Sequence, residues 1–157
     1  MPIRELLTDL QNSAFAHSVS KADHLVGAGL QIIHVLGFVL LLASLALVSL
    51  RVLGLAFGRQ PLPSVAREAN RLIWLGLALA VASGILMFSA SPLLYFYKPV
   101  FIAKLGLLAA AVLIQLLLLG PVSRSAQPSP ARARVSIALG LGAWFGAALA
   151  GRIIGFV

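Results

Sequence analysis

Residues 25–50 read LVGAGLQIIHVLGFVLLLASLALVSL, and His34 is their one ionisable side chain. As an α-helix this stretch is about 39 Å long at 1.5 Å per residue, more than the roughly 30 Å hydrocarbon core of a bilayer. Its apolar residues do not alternate with period two, which argues against a barrel strand. Inside hydrocarbon every backbone N–H and C=O must find its partner within the segment, and a helix is the remaining way to do so. The stretch therefore reads as a transmembrane helix.

Three further stretches have the same character, at residues 72–90, 99–120 and 135–157. Each is bounded by charge, proline or glycine. The chain has 157 residues, of which 61% are hydrophobic and 10% charged, with a mean hydropathy of +1.03. A soluble domain carries about 25% charged residues, so this chain lacks the charge to solvate its own surface. The fold class is an all-α membrane protein, a four-transmembrane-helix bundle, with residues 25–157 as its membrane domain. There is no cysteine, which excludes disulfides and thiolate metal sites.

The formal net charge of +8 raises the question of nucleic acid, but its placement answers against it. Arg51, Arg59, Arg67 and Arg71 follow the first span, and Arg124, Arg132 and Arg134 follow the third. The opposite side holds Arg4, Lys21 and Lys98. Loops enriched in arginine face the cytoplasm, which puts both termini on the outer side. Residues 51–71 read as a connector with a short helix at 65–71. Residues 121–134, with Pro121, Pro128 and Pro130, read as a flexible loop.

Residues 1–24 lack the basic start and short apolar core of a cleavable signal. Ile3, Leu6, Leu7, Leu10 and Ala14 share one face, with Arg4, Glu5, Thr8, Asp9 and Asn12 mostly elsewhere. This is an N-terminal amphipathic interfacial helix on the outer surface, resting either on lipid or on its own bundle.

Ionisable groups inside a span cost free energy and mark functional positions. There are three: His34, Lys104 and Arg152. The topology puts all three in the outer half of the membrane. No Asp or Glu lies in any span, so Lys104 and Arg152 must snorkel to headgroups, reach Asp23, or pair with the carboxylates of an anionic ligand. His34 has Gly27 and Gly37 on its own helical face, which lets a neighbouring helix or a flat macrocycle approach. Gln31, three residues earlier, is placed to orient the imidazole. A membrane histidine beside glycines suits haem ligation; the competing role is a hydrogen bond to a neighbouring helix. His24 is a candidate second axial ligand, and with His17 and Asp23 a weak metal cluster. Gly142-x-x-x-Gly146 and Gly151-x-x-x-Gly155 in the last span are close-packing patterns, best read as packing within the bundle.

Ile33-His34-Val35-Leu36-Gly37 with Leu50-Arg51, the 72–88 stretch with Gly84 and Phe88, and Tyr97-Lys98-Pro99-Val100-Phe101-Ile102-Ala103-Lys104-Leu105 together resemble a family of small bacterial four-helix membrane proteins of unassigned function. More distantly they resemble HemJ-type protoporphyrinogen oxidases and CopD-like membrane domains. The HemJ resemblance implies haem b, a functional histidine in the first span and a functional lysine in the third, at His34 and Lys104. It also implies a bacterial inner membrane. The chain departs from HemJ-type proteins in its extra N-terminal helix and in lacking their aromatic first span. It departs from the CopD pattern in having only Met1 and Met87 as soft ligands.

The leading expectation is a haem-b-binding membrane redox protein. His34 ligates iron, and Lys104 and Arg152 meet the propionates. Electrons then pass to a quinone or a periplasmic partner. The alternatives are a HemJ-like porphyrinogen oxidase and a cofactor-free structural subunit, as a homo-oligomer or within a larger membrane complex. A transporter ranks last, since no span carries a carboxylate or is visibly broken.

Overall fold

In the computed structural model the described residues are 2–21, 24–125 and 128–156, without the side chains of Pro2 and His24. The helices are α1 (Pro2–Gln11), α2 (Ala14–Ser20), α3 (His24–Val52), α4 (Leu62–Ala90), α5 (Pro92–Phe96), α6 (Pro99–Ile114), α7 (Gly120–Arg124) and α8 (Pro130–Ile153). A π-helical segment, Gln115–Leu119, joins α6 to α7. Four helical stretches are long and apolar enough to cross a membrane: Leu25–Val52, Leu62–Ala90, Pro99–Arg124 and Pro130–Ile153. Among the described residues there is no strand. The protein is an all-α, multi-pass membrane bundle.

The second span differs from the sequence reading. The expected connector and separate short helix are one continuous α4 starting at Leu62. The reason is an unbroken stripe: Leu62, Ala66, Ala69, Ile73, Gly76, Ala80 and Ser83 are all buried at helical spacing. Arg67, Glu68 and Arg71 lie on the exposed face of that same helix, and the charges interrupt its hydropathy without interrupting its helix. Prolines stand in the first turn of α4, α5, α6 and α8, where a missing N–H costs nothing. The expected loop at residues 121–134 likewise begins with α7, and α8 starts at Pro130. Pro121 cannot donate to the carbonyl four residues back, and the backbone before it widens into the π-helical segment.

The N-terminal region is two helices. Ser13 breaks it by capping α2, its hydroxyl accepting from the Ala16 N–H at 3.1 Å. α1 packs on α5, and α2 on α4. Leu7 and Ala16 are buried in those contacts, whereas Ile3, Leu6 and Phe15 remain exposed. The N-terminal pair thus rests on the bundle and still presents an apolar face outward.

The bundle is built from two tight helix pairs, α3 with α4 and α6 with α8. In the first pair the backbones touch. A Cβ on Gly37 would stand 2.7 Å from the Gly76 carbonyl oxygen, and one on Gly76 would stand 2.8 Å from the Leu41 nitrogen. Gly37 therefore admits a neighbouring helix. In the second pair Gly140 faces Leu119, Gly146 faces Leu107, and Gly151 faces Lys104, so these glycines pack within the bundle. The pairs meet through α3 with α8 and α4 with α7. Phe38, Leu41, Leu45, Ile73, Trp144 and Ala147 form the shared core.

Candidate functional site

At the end of the bundle that carries α5, the two helix pairs leave a cavity of about 540 Å³. Its walls come from α3, α4, α5, α6 and α8, and its polar groups include Gln31, His34, Lys104 and Arg152. Phe38, Met87, Phe88 and Phe101 supply apolar surface. No aspartate or glutamate is among the described residues that line it.

His34 is held from both sides. Its Nδ1 lies 3.1 Å from Ser83 Oγ on α4, and its Nε2 lies 3.1 Å from Lys104 Nζ on α6. The tautomer follows from Ser83, which has one hydroxyl proton. That proton is donated at 2.6 Å to the Leu79 carbonyl, one turn back on α4. With its proton there, Ser83 Oγ accepts from His34 and Nδ1 carries the imidazole N–H. The Nε2 lone pair is left facing the cavity, where it accepts from the Lys104 ammonium. The result is a chain of donors from Lys104 through His34 and Ser83 to a backbone carbonyl, spanning three helices.

Local packing holds this arrangement. The Phe38 ring, one turn after His34, meets the imidazole edge-on at 5.4 Å, and Lys104 Nζ stands 5.7 Å above the same ring. A Cβ on Gly84 would be 3.1 Å from His34 Cε1, and one on Gly151 would be 3.0 Å from Lys104 Nζ. Both glycines leave room for the side chain opposite. Phe88 and Phe101 stack at 5.3 Å and nearly parallel, which joins α4 to α6 beside the cavity. Lys98 Nζ donates to the Ile154 carbonyl at 3.2 Å, tying the start of α6 to the end of α8.

Five candidates from the sequence can be placed. His34 and Lys104, 70 residues apart, are in direct contact. Arg152 lines the same cavity from α8 but is exposed, its guanidinium 5.1 Å from the Phe156 ring. Gln31 also lines it, at the exposed side. The imidazole is oriented by Ser83, because both ring nitrogens have other partners than Gln31. Gly37 lies at the α3–α4 crossing. The His24 side chain and Asp23 fall outside the described residues, and among the described residues no group of three or more metal-ligating side chains is assembled. Ser83 was missed by sequence reasoning. Its signal is a serine beside Gly84 in a mainly apolar stretch that also holds Ser89, an ordinary pair for helix packing.

A protein-family model described as a family of unknown function (DUF6644) matches residues 10–157. No curated protein and no solved structure matches the chain.

Proposed function

We propose that this protein, which belongs to the DUF6644 family of unknown function, is a membrane redox protein whose cavity holds haem b on His34. The observation that carries the reading is the orientation of His34. Ser83 Oγ accepts a hydrogen bond from the Nδ1–H, which leaves the Nε2 lone pair toward a cavity that is cationic and free of described carboxylates. A metal-binding histidine needs this kind of fixed tautomer. Apolar and aromatic walls suit a flat macrocycle. The cations suit its two propionates, with Lys104 and Arg152 as the partners.

One feature sets a condition. A single lone pair serves one partner, and Lys104 Nζ stands at Nε2 in this structure. Ligation by His34 therefore requires Lys104 to turn its flexible stem toward a propionate. Haem b, when bound, supplies a one-electron couple. The chain's own residues hold the macrocycle, neutralise its charge and limit access of water. Four crossings put both termini on one side, and the arginine-rich loops on the other side favour a periplasmic location for the termini in a bacterial inner membrane. A quinone or a periplasmic protein is then the redox partner.

The test is an optical spectrum of the purified protein before and after addition of haemin. A Soret band that shifts or disappears in His34→Ala supports the reading. A wild-type protein without a Soret band, even after haemin, overturns it and leaves a cofactor-free subunit. The Lys104–His34 contact favours a second reading, a porphyrinogen oxidase of the HemJ kind, in which the pair would accept protons from the substrate while its electrons pass to a quinone-class acceptor. Complementation of a bacterial strain lacking that oxidase decides between the two.

A further inference from the structure

We infer that the cavity takes its ligand sideways, from the lipid leaflet at the α5 end, through the gap between α3 and α8, and that this ligand is an amphipathic acid dissolved in the membrane. The inference rests on reading the cavity as a site for an anionic ligand. It adds the route and the chemical class.

The route follows from what closes each side. Between α4 and α6 the stacked Phe88 and Phe101 rings stand face to face. Toward the aqueous end, Tyr95 of α5 leans on Phe101 at 6.2 Å, and Lys98 is bonded to the Ile154 carbonyl. α5 is itself braced from outside by α1, and its Leu94, which lines the cavity and is 59% exposed, marks the competing mouth. The α3 side is different. Val35 and Val39 line the cavity and are 53% and 55% exposed. These are apolar side chains on a membrane-spanning helix, so the medium they face is hydrocarbon. Ala148, a small side chain, lines the cavity from α8. A shallower groove over Ala28, Gln31, Ile32, Val35 and Leu36 shares Gln31 and Val35 with the cavity, so the mouth continues along the lipid-facing surface of α3.

The class follows from charge and wall chemistry. The mouth and interior present Arg152, Lys104 and the Gln31 amide, with no described carboxylate. A buried cation is stabilised by an anion that comes with the ligand. Apart from His34, Tyr95 and Lys98 the remaining wall is aliphatic, methionine and phenylalanine, which requires an apolar body. A neutral lipid leaves Lys104 uncompensated, and a small hydrophilic anion leaves the wall empty. An acid with an apolar body meets both demands, and haem, a lipophilic dicarboxylate, belongs to that class.

The chain has no cysteine, so Met87→Cys puts a sole thiol in the cavity wall. In proteoliposomes an alkyl maleimide should modify it at least about tenfold faster than a sulfonated, water-confined maleimide, because the charged reagent does not enter hydrocarbon. Adding Val39→Trp should slow the alkyl reagent several-fold, and adding Leu94→Trp on α5 should leave it unchanged. The reverse pattern, with Leu94→Trp slowing and Val39→Trp neutral, overturns the lateral route. Val35→Cys at the mouth is a second reporter should Met87→Cys not fold. For the class, palmitate should protect Met87→Cys from the alkyl maleimide and methyl palmitate should not, and Lys104→Met should remove that difference. Equal protection by acid and ester overturns the acidic ligand. None of these readouts needs haem: lateral labelling and acid-selective protection without a Soret band sink only the haem reading.

Discussion

Among the described residues, the side chains that bond from one helix to another lie in one half of the bundle. In the half that carries α5, side chains bond across helices: His34 to Ser83, Lys104 to His34, and Lys98 to the carbonyl of Ile154. In the arginine-rich half, Ser44 and Ser49 only fold back on their own helix, to the Leu40 and Leu45 carbonyls, as Ser89 does on the Leu86 carbonyl in the α5 half. The ion pair there, Arg71 with Glu68 at 3.2 Å, is exposed and local to α4. Two buried atoms, Gln115 Oε1 in the π-helical segment and Trp144 Nε1 on α8, have no hydrogen-bond partner among the described residues. Polar groups turned back on their own helix ask nothing of neighbouring helices, so the interior of that half closes on packing, and Arg51 reaches beyond α3 only at the exposed rim, to the Gln60 carbonyl at 2.8 Å. Groups that bond across helices fix where three helices stand relative to one another, which is what a binding site needs.

The largest break in this contrast should come from the α3–α4 crossing that supports both halves. Gly76→Leu places a side chain against the α3 backbone, where nothing flexible can yield. Overpacking of this kind costs about 3 kcal/mol or more. Thermal unfolding in detergent should show a large fall in midpoint or no folded protein. An unchanged midpoint would contradict the close crossing.

Next is Ser83→Ala. It removes the acceptor that sets the His34 tautomer, and loss of such an outer partner typically weakens metal ligation about 10–100-fold. Haemin titration followed at the Soret band measures it. In stability the same change should cost only about 0.6 kcal/mol, the usual worth of an interhelical hydrogen bond in a membrane. Large loss of ligand with small loss of stability separates a positioning role from a packing role.

In the other half the sign should reverse. Gln115→Leu removes an unpaired buried carbonyl oxygen and should raise stability by about 1 kcal/mol, read from the unfolding midpoint, with haemin affinity unchanged. A loss of stability would mean that Gln115 has a partner. Smallest of all is Ser49→Ala, whose hydroxyl bonds only to its own helix. Its stability should stay within about 0.5 kcal/mol of the parent.

Much of the site was legible as single residues. His34 and Lys104 stood out because an ionisable group in hydrocarbon is costly wherever it occurs, and Arg152 for the same reason. Ser83 was not legible, since a serine that bonds back on its helix looks like any other until an imidazole is found beside it. Gly37 was legible as a close-approach position, but its partner Gly76 became visible only when α4 was set against α3. The start of the second span was misread because Arg67, Glu68 and Arg71 lower the hydropathy of a helix whose buried stripe runs straight through them.

The number of crossings and their helical form were determined by the sequence alone. Both are demands that lipid places on each segment separately: enough apolar length, and every backbone group satisfied within the segment. Which faces meet was decided only by the tertiary structure. In a soluble helix the apolar stripe announces the buried side. In a membrane helix the lipid-facing side is apolar too, as Val35, Val39 and Leu113 are here, and that signal is lost. The contact between His34 and Lys104, across 70 residues, therefore had to wait for the order and rotation of the helices around the bundle.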